Sequence, residues 1–401
     1  MTVHSITDVQ ALEAQHVLGV YRRTPVVFER GAGVRLFDVN GKSYLDFVSG
    51  VGVAALGHAH PGLAAAIADQ AATLLHTSNL YFHPLQGELA TRLSTLTGLD
   101  RAFFCNSGAE AVETCLKFAR KYWHAQGETS RTKYVAFTHS FHGRTMGALS
   151  VTWDEHYRGP FMPLVPDVVF ADTQDPASLA RLVDDRTAAI IVEPVQGEGG
   201  VRPIPAALVT AISEACRRTG ALLIADEIQC GCGRTGAFTH SATIGLTPDL
   251  MSLGKALGAG VPIGAAMLSE RVAAKAAPGD HGSTYGGNLL ACRAALFFLD
   301  ELIDRRLMAS VARVSAHLHA RLNDLAARHS VVHEVRGVGL LAALDLKVDA
   351  APVIAAAFER GLLLNRTATT VVRMLPPYVI TERDVDEAVR ILDEAIAAVP
   401  T

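Results

Sequence analysis

Strand-like runs at 188–193, 221–225, 250–253 and 264–268 are mostly apolar, and continuous ones such as 221–225 lack the in/out alternation of a half-exposed strand. That is the pattern of strands covered on both faces of a largely parallel sheet. Shorter runs at 102–105, 134–138 and 168–170 extend the series, and helix-like segments at 62–75, 84–97, 108–124 and 205–218 lie before and between them. Strand alternating with helix predicts a doubly wound α/β domain over 56–305, helices on both faces of a mostly parallel central sheet. Before it, residues 1–55 read as a short helix (8–18) and extended segments at 26–29, 34–38 and 44–48, with Asn40-Gly41 as a turn. After it, two long helices (288–304 and 307–328) give way to extended segments at 331–335, 340–346, 362–364 and 371–374 and a helix at 351–360. A last helix opens at Thr381 and Asp384 with the spacing of a capping box. The tail, 306–401, is expected to form a smaller α+β domain together with residues 1–55.

Composition agrees with a large buried core: of 401 residues 49% are hydrophobic and 19% charged. The formal charge of -4 gives no support for binding a nucleic-acid backbone. Cysteines at 105, 115, 216, 230, 232 and 292 are too sparse for a disulfide scaffold and fit a reducing compartment. Residues 1–20 lack a signal-peptide pattern, and the glycine-rich stretch 256–268 contains Pro262 and is too short to span a membrane. A soluble cytoplasmic protein is expected.

Chemistry concentrates where the apolar runs end. Asp226-Glu227 closes one of them, and carboxylates at a buried strand end need a partner such as a protonated ring nitrogen or a metal. No further ligands of suitable spacing accompany them, and Cys230-x-Cys232 has no second pair, so no metal site is expected. Ser107-Gly108-Ala109-Glu110 opens a helix and reads equally as a capping box and as a phosphate seat. Lys255 follows the 250–253 run, where partial desolvation would make an amine nucleophilic toward an aldehyde. Phe141-His142-Gly143-Arg144 places an aromatic ring beside a guanidinium, suited to stacking a ring and clamping a carboxylate. Glu193 to Gly200 is a glycine-rich exit from another apolar run, with a second carboxylate at Glu198. Arg373 is a charge inside an apolar run and needs an anionic partner if buried. Two motif matches fail on context. Gly231-x-Gly233-x-x-Gly236 does not sit directly between a strand and a helix, and Ser252-x-x-Lys255 lacks the companion motifs of acylating hydrolases.

Together these segments resemble the class III aminotransferases, which use pyridoxal phosphate (PLP). The likeness runs from Gly41-Lys42-Ser43-Tyr44 to Val372-Arg373-Met374-Leu375-Pro376-Pro377. Its most specific blocks are Asp226-Glu227-Ile228-Gln229, Gly233-Arg234-Thr235-Gly236, Lys255-Ala256-Leu257-Gly258 and Gly282-Ser283-Thr284-Tyr285-Gly286-Gly287-Asn288. The resemblance implies the type I fold of PLP-dependent transferases and a homodimer with shared active sites, without membrane or nucleic-acid partners. It implies that Lys255 bonds the cofactor aldehyde, Asp226 pairs with the ring nitrogen and Gln229 lies near the ring's phenolic oxygen. Phe141 would stack on the ring, with His142 and Glu193 beside it. Ser107, Gly108 and Ala109 would hold the phosphate, joined by Thr284 of the neighbouring subunit. Arg144 and Ser283 would bind substrate, Arg373 the α-carboxylate of glutamate, and Glu198 would act as a gate on Arg373. Within the family the acetylornithine subgroup is most similar, implying amino transfer from N-acetylornithine to 2-oxoglutarate in arginine biosynthesis. Val112 and Ala54 depart from that subgroup's pattern, so ornithine, succinylornithine and 4-aminobutyrate stay open as donors.

Overall fold

A computed structural model describes residues 6–399. The N-terminal part forms β1 (Phe28–Ala32), β2 (Arg35–Asp38) and β3 (Ser43–Asp46), antiparallel neighbours in that order. The central sheet is built from β4 (Arg101–Cys105), β5 (Lys133–Phe137), β6 (Val168–Ala171) and β7 (Thr187–Val192). A two-strand ribbon follows, β8 (Val195–Gln196) with β9 (Arg202–Pro203), and the sheet is completed by β10 (Leu222–Asp226), β11 (Leu250–Leu253) and β12 (Gly264–Leu268). Its order is β4-β12-β11-β10-β7-β5-β6. All neighbours are parallel except β12, which runs antiparallel to both β11 and β4.

Every residue of β7, β10, β11 and β12 is buried, as expected of strands that are apolar on both faces over most of their length. Successive side chains go to opposite faces. Leu222 and Ile224 pack with Val112, Leu116 and Trp123 on one side, whereas Leu223 packs with Leu208 and Ile212 on the other. Each such fully buried Leu or Ile contributes about 1.5–3 kcal/mol. The Gly108–His124 helix buries Ala111, Cys115, Ala119 and Trp123, four positions one helical turn apart, against the sheet.

The C-terminal part forms β13 (Val332–Val338), β14 (Leu341–Leu346), β15 (Leu362–Leu363), β16 (Asn365–Thr367) and β17 (Val371–Met374). Four of these make an antiparallel sheet in the order β13-β14-β17-β16. β15 instead pairs in parallel with β3, Leu362 opposite Leu45 and Leu363 opposite Asp46, so the two ends of the chain share one sheet. The Glu382–Ala397 helix starts on the expected capping box: Thr381 accepts from Asp384 N, and Asp384 Oδ2 accepts from Thr381 N. The expected helix over 288–304 is α-helical only over Leu289–Leu299 and continues as a π-helical turn, Asp300–Asp304. β8, β9 and β16 had no counterpart in the sequence reading, because two or three residues hold too few positions for a period to show. Among the described residues no helix is long and apolar enough to cross a membrane.

Candidate active site

The carboxyl ends of β10 and β11 and the N-terminus of the Gly108–His124 helix meet at one cavity of about 280 Å³. The strand's alternation separates the two adjacent carboxylates. Asp226 lines the cavity. Glu227 turns away and accepts from His240 N at 3.0 Å, Ser241 N at 2.6 Å and Cys230 Sγ at 3.1 Å. Burial pushes the Glu227 carboxyl above its ordinary range despite those donors, and its task is to hold the 227–241 segment.

Asp226 Oδ1 accepts from Ser252 Oγ and Ile228 N, both at 3.1 Å, and Oδ2 lies 2.7 Å from His142 Nδ1. An ionised carboxylate only accepts, so Nδ1 carries the hydrogen. The His142 backbone N–H is tied to Thr152 Oγ1 at 2.9 Å, which fixes the main chain there. The His142 Nε2 is buried without a hydrogen-bond partner among the described residues.

Lys255 follows β11 with φ +41, a left-handed conformation that strains a non-glycine residue by about 1–3 kcal/mol. The turn sends its amine into the cavity. Among the described residues that amine makes no hydrogen bond or ion pair. Burial lowers its proton affinity and Arg373 acts in the same direction, against the opposing charges of Glu198, Asp226 and Glu193.

Ser107 caps the helix, accepting from Glu110 N at 3.2 Å, while Glu110 accepts from Asn106 N at 2.8 Å. The first amides of the helix, at Gly108 and Ala109, have no intrahelical acceptor and face the same cavity. The capping and anion-seat readings therefore describe different groups of one turn. A Cβ at Gly108 would lie 2.7 Å from Ile228, and one at Gly143 (φ +136) would lie 2.8 Å from the Ala109 Cβ. The backbone at both places is packed as closely as a residue without a side chain permits.

One guanidinium group, Arg144, lines the cavity, and a second, Arg373, lies behind Glu198 and Gln229 of its wall. Arg373, buried on β17, donates from Nη1 to Glu198 Oε1 at 2.5 Å and to Gln229 Oε1 at 3.2 Å, and from Nε to Asn365 Oδ1 at 3.2 Å. Burial alone would raise the Glu198 carboxyl, but Arg373 and Lys255 hold it below the usual carboxylate value. Arg144 lies 3.5 Å over the Tyr157 ring and 5.4 Å from that of Phe141. Among the described residues it has no carboxylate partner. Glu193 accepts from Phe141 N at 2.8 Å and Gly197 N at 3.1 Å, joining the two polar exits. Burial, with the charge of Asp226, pushes its carboxyl up to about 7.

The cavity thus brings together Gly108, Ala109, Phe141, His142, Arg144, Glu193, Glu198, Asp226, Gln229 and Lys255. Arg373 reaches it through Glu198 and Gln229, whereas Ser107 is not part of its lining and caps the helix toward Glu110. Ser283 and Thr284 lie outside it. Ser283 Oγ accepts from Asn106 Nδ2 at 3.3 Å and lines a separate groove with Asn79, and Thr284 is exposed. The Gly231–Gly236 glycines form consecutive turns with no helix directly after them. Sequence reasoning missed Ser252 as a support of Asp226, Tyr157 under Arg144, and Asn365 on Arg373. Ser252 was visible in the Ser252-x-x-Lys255 match, weighed only as a nucleophile; Tyr157 and Asn365 carried no local signal.

The donor set fits a small ring with an aldehyde, a basic ring nitrogen and a phosphate. Lys255, Asp226 and the Gly108–Ala109 amides each complement one of these groups.

Comparison with known proteins agrees. The model of the family described as aminotransferase class-III matches residues 19–396. An acetylornithine aminotransferase of Archaeoglobus fulgidus is 48% identical over 380 residues, covering 95% of this chain and 98% of the relative. One of Aquifex aeolicus is 44% identical over 382 residues, 95% of this chain and 100% of the relative. The solved structure of an ornithine aminotransferase from Toxoplasma gondii, with partial occupancy of PLP at its active site, has a TM-score of 0.94 at 35% identity. That match covers 99% of this chain and 95% of the other.

Proposed function

The chain belongs to the class III aminotransferases, enzymes that use PLP, and from that premise we propose that it moves the terminal amino group of N-acetylornithine to 2-oxoglutarate. The products are N-acetylglutamate 5-semialdehyde and glutamate, a step of arginine biosynthesis. One observation carries the reading: Arg144 lines the cavity with no carboxylate partner among the described residues, while Arg373 stands behind Glu198 and Gln229, neutralised by Glu198. Two substrates of different length share such a site when each presents a carboxylate to its own arginine. Arg144 would take the carboxylate of acetylornithine. For glutamate and 2-oxoglutarate, Glu198 would leave Arg373 free for the α-carboxylate.

Bound PLP would supply an aldehyde that accepts the amine and a ring that draws electrons from the bond broken at the donor carbon. Lys255 Nζ would take the proton from that carbon and return it, a task for a desolvated amine. The Asp226 carboxylate, fixed by His142 at Oδ2 and by Ser252 at Oδ1, would hold a proton at the ring nitrogen. The Gly108 and Ala109 amides would hold the phosphate at the helix N-terminus. Phe141 would pack on the ring face, and Gln229 would lie at the phenolic oxygen.

The working form proposed is a homodimer. Leu80, Tyr81, Phe82 and Tyr285 are exposed, and Asn79 Nδ2 joins their two segments by donating to Gly286 O at 2.9 Å. A second copy covering this surface would place Thr284 at the partner's phosphate and Ser283 beside it. Six free cysteines fit a cytoplasmic location.

A half-reaction panel tests the donor, following loss of the cofactor's aldehyde form with N-acetylornithine, ornithine, succinylornithine and 4-aminobutyrate. N-acetylornithine is expected to give the highest kcat/KM, by about tenfold or more over 4-aminobutyrate. A panel won by 4-aminobutyrate, ornithine or succinylornithine replaces the proposed donor with the winner.

A further inference from the structure

Three consecutive carbonyls of the turn that carries Glu198 each accept a hydrogen bond from a side chain. Thr367 Oγ1 donates to Glu198 O, Arg202 Nε to Gly199 O at 3.0 Å, and Arg336 Nε to Gly200 O at 3.1 Å. Thr367 and Arg336 are buried, and both belong to the antiparallel C-terminal sheet, on β16 and β13. Arg336 is itself fixed, its Nη1 lying 2.9 Å from Asp345 and 3.1 Å from Glu334. Asp345 in turn accepts from Thr370 Oγ1 at 2.6 Å. On the same sheet Arg373 is paired with Ala343 of β14 on one side and Asn365 of β16 on the other.

One sheet therefore carries Arg373 and also grips the backbone from which Glu198 projects. Glycines flank that backbone, at Gly197, Gly199 and Gly200, and a glycine-rich turn left to itself is mobile. With its carbonyls satisfied one after another, the turn has no unpaired acceptor to gain by moving, and each displacement would strand a part-buried carbonyl.

We propose that Thr367 and Arg336 are positioning residues of the Glu198–Arg373 pair, holding the backbone from which Glu198 reaches Arg373. This rests on the reading of Glu198 as the gate. A carbonyl bond of this kind contributes about 0.5–1.5 kcal/mol, so losing one should weaken the aim of Glu198 roughly threefold to tenfold. With Glu198 poorly aimed, Arg373 stays open to the α-carboxylate of glutamate even when the other donor is offered.

The readout is the ratio of kcat/KM for N-acetylornithine to that for glutamate, each as amino donor in a single half-reaction of the PLP-loaded enzyme. Thr367→Val keeps the side chain's shape and removes its hydroxyl. Arg336→Lys keeps a cation near Asp345 but loses the fork that also reaches Gly200 O. In both variants the ratio is expected to fall roughly threefold to tenfold, while Thr367→Ser restores it. Glu198→Ala should move the ratio further in the same direction. A wild-type ratio in both positioning variants, beside a shifted ratio in Glu198→Ala, overturns the inference and leaves the gate standing. Equal loss for both donors in Thr367→Val marks a merely structural role and also overturns it. An unshifted Glu198→Ala overturns the gate reading itself.

Discussion

Lys255→Ala lowers the rate constant for amino transfer by about 10⁴-fold, at the upper end for loss of a positioned acid–base group. The proposed role gives the residue two tasks, bonding the cofactor and moving the proton, and among the described residues no other lysine lines the cavity. Removing a unit that serves both steps exceeds the loss of either alone. Lys255→Arg should be as slow, because a guanidinium keeps the charge but supplies neither the nucleophile nor the base. The unmodified enzyme adds a pH signature. Burial disfavours the ammonium form, so the reactive neutral amine appears at lower pH than the ordinary lysine value of 10.5. The rate at which cofactor-free protein takes up PLP should rise with pH through a midpoint below that value. Stopped-flow absorbance measures both quantities; amino transfer within tenfold of wild type in Lys255→Ala would contradict the assignment.

Asp226→Asn gives the second large effect, a fall of about 10²–10³ in the same rate constant, the magnitude typical of removing one preorganised electrostatic partner. Asparagine matches aspartate in size and can still accept from Ser252 Oγ; its Nδ2 then faces His142 Nδ1, which must carry its hydrogen on Nε2 instead, and the negative charge is lost. A ring nitrogen facing a neutral amide no longer holds its proton firmly, and electron withdrawal from the donor carbon weakens. Cofactor content should change little, since Lys255 and the Gly108 and Ala109 amides remain. Single-turnover kinetics alongside cofactor absorbance separate the two effects. A rate within about threefold of wild type would remove Asp226 from the role.

Much of this was legible in the sequence because burial leaves a plain mark. The unbroken run Leu222-Leu223-Ile224-Ala225 has the pattern expected of a strand covered on both faces, which made the polar residues after it an exit. The direction of β12 was not legible, since an antiparallel strand enclosed on both faces has the same apolar run as its parallel neighbours. Nor could composition separate Asp226 from Glu227; only the twofold alternation of the strand sends one to the cavity and the other to the amides of His240 and Ser241. The rule that a buried charge needs a partner predicted an anion for Arg373, and the fold supplies it 175 residues away at Glu198. The Tyr157 ring under Arg144 and the Asn365 amide on Arg373 are contacts made by tertiary folding alone. The grip of Thr367 and Arg336 on the Glu198 turn belongs to the same class, because backbone carbonyls leave no trace in residue identity.

The central claim is that the Lys255 amine, opposite Asp226, is the group that bonds the cofactor. Reducing the purified PLP-loaded protein with borohydride makes that bond permanent, and peptide mass mapping then locates it. The account predicts the added mass of the reduced cofactor on the peptide containing Lys255. Added mass on another lysine, with Lys255 unmodified, would contradict it.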